Sequence, residues 1–237
     1  MIDIKSIENT IINDDCMNIL KQLPDKCIDL VLTDPPYGGG GQILGKENKE
    51  ADLADCSTNT ISAIRTGGGY FKKYLQGGVF ENATEITHWD YAPSQEVFDE
   101  IFRVSKNQII WGGNYFNLPP TRCFNVWKKL TISEKFSMAM AEYAWTSFND
   151  NAKLWEFAPQ DPNRFHPTQK PVGLISKQIA LYSKENDIIL DCFSGSGTTA
   201  IACNRLKRRF ICIEKDKEYW QASVKRLEEE QRQGTLF

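Results

Sequence analysis

Two short runs of the 237-residue chain combine residue types that can do chemistry. The first is Thr33-Asp34-Pro35-Pro36-Tyr37, placed straight after the apolar run 28–32. Two adjacent prolines fix the backbone and remove two amide donors. Their carbonyls are left as unopposed acceptors, Asp34 adds a carboxylate and Tyr37 a flat ring. Acceptors beside an aromatic platform suit an amino group on a planar base. The plainer alternative is a proline-stiffened strand exit with an incidental acid.

The second run is Asp191-Cys192-Phe193-Ser194-Gly195-Ser196-Gly197-Thr198-Thr199, between an expected strand and an expected helix. Gly195 permits a tight turn, and Gly197 permits a ligand to approach the backbone. Loop amides and the helix start would form a polar cradle. Glu214 ends the next expected strand, 17 residues past Gly197, where an acid can accept from ribose hydroxyls. Together these features predict an adenosine-containing ligand; the alternative is a tight turn that binds nothing. Gly195-x-Gly197-x-x-Ala200 also fits the dinucleotide fingerprint, so a nicotinamide dehydrogenase competes on this motif alone. Against it, only one strand and one helix can follow. No Tyr-x-x-x-Lys pair or His/Asp set stands upstream.

Both runs need strand ends to hold them. Residues 28–32, 108–111, 123–127, 137–146, 187–192 and 209–213 read as strands, several of them mostly apolar. Residues 96–104, 172–182, 198–206 and 217–230 read as helices, the second starting behind Pro171. Strands alternating with helices predict an α/β fold with a mostly parallel sheet and helices on both faces. Strand C-terminal ends, where open α/β sheets bind ligands, are where the two runs fall. Ten of the 16 glycines lie between Gly38 and Gly78. This predicts one domain, 1–237, with a glycine-rich mobile insertion at about 38–88 and a short tail at 231–237.

Composition narrows the class. With 41% hydrophobic and 25% charged residues the chain is an ordinary globular sequence. A net charge of −3 argues against a wholly basic nucleic-acid coat, though a local basic stripe could still bind nucleic acid. Seven cysteines without a CxxC pair, and only two histidines, predict no metal site and reduced thiols. No apolar run approaches a membrane span and the first residues lack a leader pattern, so a cytoplasmic protein with no membrane partner is expected. Gly40-x-x-x-x-Gly45-Lys46 opens like a P-loop but continues with Glu47, where Ser or Thr should hold magnesium.

Asp34-Pro35-Pro36-Tyr37 placed ahead of Phe193-Ser194-Gly195-Ser196-Gly197-Thr198-Thr199 resembles the amino-methyltransferases of DNA. The motif order is that of their β-type permutation, in the Rossmann-like S-adenosylmethionine methyltransferase fold. Asp14-Asp15-Cys16 and His166-Pro167-Thr168-Gln169-Lys170-Pro171 are similar to further family segments. The likeness runs over nearly the whole chain outside the insertion.

The resemblance implies S-adenosyl-L-methionine as cofactor. Asp15 and Cys16 would contact its adenine and Glu214 its ribose. Asp191, Phe193, Gly195, Ser196, Gly197, Thr198 and Thr199 would surround the methionine and sugar, with Thr168 and Lys170 at the methionine end. Asp34, also beside the cofactor, would be catalytic with Pro35, Pro36 and Tyr37. The implied activity is site-specific adenine-N6 methylation of a flipped-out base in DNA, within a restriction-modification setting. Aspartate at the first motif position resembles the adenine enzymes more than the cytosine-N4 ones, which remain the alternative. A catalytically inactive relative that only binds DNA or cofactor is a third reading. A carbon-5 enzyme would need a Pro-Cys nucleophile, and no Pro-Cys occurs.

The insertion holds Arg65, Tyr70, Phe71, Lys72, Lys73 and Tyr74, a mixture suited to phosphate contact and base stacking. Lys128-Lys129 and Lys207-Arg208-Arg209 are further phosphate candidates. Trp111-Gly112-Gly113-Asn114-Tyr115-Phe116 is placed to line a target pocket or to form a core turn. The ending Gln233-Gly234-Thr235-Leu236-Phe237 is similar to the sliding-clamp peptides of bacterial replication proteins, the alternative being a frayed tail. A homodimer, and a bacterial or phage origin, are implied by the family alone.

Overall fold

A computed structural model describes residues 2–38, 91–133, 139–159 and 164–234. The chain divides into two compact units, Met1–Pro35 with Ser94–Phe237, and Pro36–Pro93. Most of the second unit, with the basic and aromatic insertion residues, lies outside the described residues, as do Thr235, Leu236 and Phe237 of the tail. Its described residues, 36–38 and 91–93, form no helix or strand.

The first unit is built on eight strands and, among the described residues, five α-helices. In chain order they are β1 (Thr10–Asn13), α1 (Cys16–Leu20), β2 (Ile28–Thr33), α2 (Gln95–Val104), β3 (Ser105–Trp111) and β4 (Phe124–Lys129). Then follow β5 (Ala141–Thr146), β6 (Lys153–Phe157), α3 (Val172–Tyr182), β7 (Ile188–Asp191), α4 (Thr198–Leu206), β8 (Arg209–Glu214) and α5 (Lys217–Gly234). The sheet order is β1-β8-β7-β2-β3-β5-β4-β6, and every described neighbour pair is parallel except those that involve β5.

Side-chain alternation explains the two faces. Leu30 and Leu32, Ile109 and Trp111, Ile189, Phe210 and Cys212 point to one side, where α3, α4 and α5 cover them with Leu174, Ile179, Ala202 and Leu227. Val31, Ile110, Ile188, Leu190, Ile211 and Ile213 point to the other, under Leu20 of α1 and Val97, Phe98 and Ile101 of α2. A strand buried on both faces must be apolar at every position, which is why β7 and the middle of β8 read as continuous hydrophobic runs. Among the described residues no helix is long and apolar enough to cross a membrane.

Strand order places the two motifs. β7 pairs with β2 in parallel, Leu30 opposite Ile189 and Val31 opposite Leu190. From β7 the chain continues outward to β8, whereas β2 has β3 on its other side. Adjacent parallel strands whose connections leave in opposite directions open a crevice at their C-terminal ends, the usual ligand position in such sheets. Asp34-Pro35 leaves β2 at that edge and residues 192–197 leave β7 there.

The candidate active site and its relatives

The loop after β7 is held by its own backbone. Gly195 and Gly197 have φ of +49° and +73°. A Cβ at Gly195 would lie 3.1 Å from His166 Nε2, and one at Gly197 would lie 3.0 Å from Ser223 Cβ. Glycine is required here by both dihedral and space.

Four loop amides are bonded internally. Phe193 N donates to Asp191 Oδ1, Ser194 N to the Ile213 carbonyl, Gly195 N to Glu214 Oε2 and Gly197 N to the Ser194 carbonyl. The expected polar cradle of amides is therefore largely satisfied from within. What lies along this edge is carboxylate, which suits a cation and a diol better than a pyrophosphate.

Asp191 is the hinge between the motifs. Buried at the end of β7, its carboxylate accepts from Thr33 Oγ1 (2.9 Å), the last residue of β2, and from Thr199 Oγ1 (2.6 Å) in the first turn of α4. Burial raises its pKa to about 6 against those hydrogen bonds. Glu214, half-buried at the end of β8, accepts from Gly195 N at 2.7 Å and Asp216 N at 2.8 Å, and burial pushes it up to about 7.

Next to Glu214, β1 ends and Asp15 caps α1, accepting from Met17 N (3.0 Å) and Lys215 Nζ (2.9 Å). The Lys215 hydrogen bond holds the Asp15 carboxyl below the ordinary aspartate range. Cys16 is buried and its thiol is raised to about 12, mainly by that burial.

Ser196, Thr198 and Thr199 turn their hydroxyls into the protein. Ser196 Oγ and Thr198 Oγ1 are 3.0 Å apart, and Arg226 Nη1 donates to Thr198 Oγ1 and to the Ser196 carbonyl. Thr168 is exposed, its Oγ1 3.2 Å from His166 Nδ1. The buried His166 ring packs edge-on against Tyr219 at 4.3 Å, and burial depresses its pKa to about 3. It is a neutral packing group under Gly195.

Asp34 meets a charge cluster that its sequence neighbours do not announce. Lys170 Nζ is 2.5 Å from Asp34 Oδ2 and 3.1 Å from Glu142 Oε2. The other Glu142 oxygen lies 2.6 Å from Lys129 Nζ. Lys170 Nζ sits 4.9 Å from the Trp111 ring centre and Lys129 Nζ 5.2 Å from that of Trp127, and the two indoles meet edge to face at 6.3 Å. Burial alone would lower the Lys170 ammonium, but the Asp34 and Glu142 carboxylates more than offset it and hold it above the ordinary lysine value. Burial would likewise raise Glu142, yet the two lysines bring it down to about 2. Acid and base thus alternate through the cluster, from Asp34 to Lys170, Glu142 and Lys129.

Several basic residues expected at phosphates are engaged in the fold. Lys129 is only 8% exposed and paired with Glu142, so it is a buried ion-pair partner and not a surface base. Arg208 binds the Ser183 and Leu206 carbonyls, and Arg209 binds the Asn186 carbonyl and Glu8. After β3, Gly112 (φ +65°) turns the chain, Gly113 packs against Trp145, and Asn114 and Tyr115 are exposed. Pro36 and Tyr37 belong to the second compact unit; both are half-buried.

Comparison with known proteins places this arrangement. The N6/N4 methyltransferase family model, described as DNA methylase, matches residues 93–225, more than half of the chain. The type II methyltransferase M2.LlaDCHI of Lactococcus lactis subsp. cremoris is 28% identical over 259 residues, covering 93% of this chain and 90% of its own length. M2.DpnII of Streptococcus pneumoniae, also a type II methyltransferase, is 27% identical with the same coverage. Among solved structures, the M1.HpyAVI–SAM complex superposes with a TM-score of 0.54 at 23% identity, covering 92% of this chain and 98% of that one. The cytosine-N4-specific PvuII DNA methyltransferase gives 0.55 at 15% identity, covering 91% and 84%. The sheet, its switch-point crevice and the acid-lined loop are thus those of an S-adenosyl-L-methionine-dependent methyltransferase, and the chain belongs to the N6/N4 family of DNA amino-methyltransferases.

Proposed function

We propose that the protein methylates the N6 amine of adenine in DNA, with Asp34 as the acceptor that prepares the amine. The observation that carries this reading is the Asp34 carboxylate, paired with the Lys170 ammonium at the strand end next to the loop of Asp191. An exocyclic amine is a poor nucleophile because its lone pair is delocalised into the ring. Asp34 and the Pro35 carbonyl accept its two N–H groups, which favours a tetrahedral nitrogen with a localised pair. Fixed acceptors also stabilise the positive charge that grows on that nitrogen. Tyr37 stacks on the base once it has left the duplex.

The residues fit the cofactor: Glu214 offers a carboxylate to a ribose diol, Asp15 and Cys16 border an adenine position, and Phe193 is half-buried at the crevice. When bound, S-adenosylmethionine would supply an electrophilic sulfonium methyl, and Asp34 and the Pro35 carbonyl would hold the amine lone pair toward it. Asp34 would keep the amine oriented while the surplus proton of the methylated nitrogen passes to solvent. Aspartate at position 34 supports adenine over cytosine. The insertion 38–88, with Arg65, Lys72, Lys73 and Tyr74, is assigned to DNA contact. Deleting 42–85 should abolish DNA binding and leave cofactor affinity near normal.

The test is direct. The protein is incubated with labelled S-adenosylmethionine and unmethylated DNA, the DNA is digested, and the labelled nucleoside is identified. N6-methyl-2′-deoxyadenosine is expected with wild type and none with Asp34→Ala. Label in N4-methylcytosine would reassign the base, and equal label with Asp34→Ala would overturn the mechanism.

A further inference from the structure

The ammonium of Lys170 is 6% exposed and is shared between two carboxylates. Were Asp34 its only partner, the whole cation would sit against one carboxylate in a poorly solvated site. Such a pair is tight, and the anion in it is a weakened acceptor for anything else. Glu142 changes this balance. It stands on β5 opposite Trp127 of β4, in the one reversed strand of the sheet, and its second oxygen is anchored by Lys129. The two indoles under the two ammonium groups fix where those cations can lie. Among the described residues the cluster holds two acids and two bases.

We propose that Glu142 is a positioning residue for methyl transfer: it takes a share of the Lys170 ammonium, which loosens the hold of Lys170 on Asp34 enough for that carboxylate to accept the target amine. The inference rests on the reading of Asp34 given above. Glu142 touches neither substrate nor cofactor in this scheme and acts through Lys170. Replacing it by glutamine removes the second carboxylate from Lys170, whose ammonium then turns wholly to Asp34, and takes from Lys129 the carboxylate it pairs with. This ties the Asp34 carboxylate up and adds a net positive charge beside a nitrogen that must itself become positive.

The experiment uses the full chain and Glu142→Gln. Steady-state transfer from labelled S-adenosylmethionine to unmethylated DNA is measured with wild type, Glu142→Gln and Asp34→Ala, and cofactor Kd by titration calorimetry. We expect kcat to fall about ten- to a hundredfold in Glu142→Gln, with cofactor Kd unchanged within about twofold. An unchanged kcat overturns the inference. So does a cofactor Kd weakened as much as kcat, which would put Lys170 on the cofactor instead. If Glu142→Gln does not fold, Glu142→Gln/Lys129→Met removes one charge of each sign and carries the same criterion: lowered kcat with cofactor binding retained supports the role, and wild-type kcat removes it. Failure of the underlying reading looks different, because Asp34→Ala would then match wild type whatever Glu142 does.

Discussion

Asp191→Asn separates charge from shape at the point where the two motifs meet. In the folded protein the Asp191 pKa is about 6, against 3.8 for an ordinary aspartate, because burial penalises the anion. The folded state therefore keeps a proton that the unfolded chain has already released between those values. Stability from this group is fully present below pH ~4 and is lost as pH rises through 6. A gap of about 2.2 between the two pKa values, at about 1.36 kcal/mol per pH unit, gives ~3 kcal/mol in full, of which about 2 kcal/mol is lost between pH 4 and pH 8 because the unfolded aspartate is already half ionised at pH 4. Asparagine does not titrate, so its offset is constant: its NH2 replaces only one carboxylate oxygen, either the one bonded by Phe193 N and Thr33 Oγ1 or the one bonded by Thr199 Oγ1, and the acceptor lost there costs about 1–3 kcal/mol. Wild type should thus be the more stable protein at pH 4, and the Asp191→Asn variant should draw level or pass it by pH 8. Glu214 is also raised, to about 7, chiefly by burial, so most of its contribution is common to both proteins; only the smaller part that comes from the Asp191 charge differs. Urea unfolding at fixed ionic strength from pH 4 to 8 reads the gap. A gap that stays constant within ~1 kcal/mol, or that moves toward wild type with rising pH, refutes the reasoning.

Other substitutions probe other parts of the site. Gly197→Ala places a side chain at φ +73° with its Cβ 3.0 Å from Ser223 Cβ; it should cost about 1–2 kcal/mol of stability in urea and weaken cofactor binding. Gly113→Ala would bring a Cβ 2.4 Å from Trp145 Cβ, so a loss of about 1–3 kcal/mol is expected, and a neutral result would mean that the turn after β3 is loose. Glu214, held near pH 7 by burial, loses acceptor capacity as it protonates, so wild-type cofactor affinity should fall from pH 8 to pH 6. Glu214→Gln should bind about tenfold more weakly at pH 8 with little pH dependence, read by calorimetry.

Much of the scaffold is legible because it is buried on both faces. Helices 172–182 and 198–206 agree with α3 and α4, and the apolar runs at 28–32, 187–192 and 209–213 agree with β2, β7 and β8 to within a residue or so at either end. Only Ala141–Thr146 of the expected strand 137–146 is a described strand, residues up to 138 lying outside the described set. β1, α1 and β6 are not among the expected elements. β1 has four residues and α1 five, too few for a period to emerge, and β6 alternates half-buried and exposed positions at the sheet's edge. Asp34, Asp191 and Glu214 can be found because each sits at a strand exit. Glu142 cannot, because its partnership with Lys170 depends on β5 running against its neighbours, and no spacing along the chain encodes that. The same blindness makes Lys129 look like a surface base. A lysine at a strand end reads as exposed until the fold supplies a buried acid opposite it.

The pairing of β1 with β8 has a consequence for how the molecule comes into being. Thr10 of β1 lies opposite Ile211 of β8, so β1 leaves the ribosome long before the sheet neighbour it has among the described strands. β2 likewise lacks one of its two flanking strands until β7 is made. Contacts closing loops of this length are slow to form, and the apolar strands waiting for them are exposed to aggregation meanwhile. Nascent chains stopped before residue 209 should therefore engage chaperones or precipitate, and release of the segment from 209 onward should trigger closure of the whole β1 side of the sheet in a single late event.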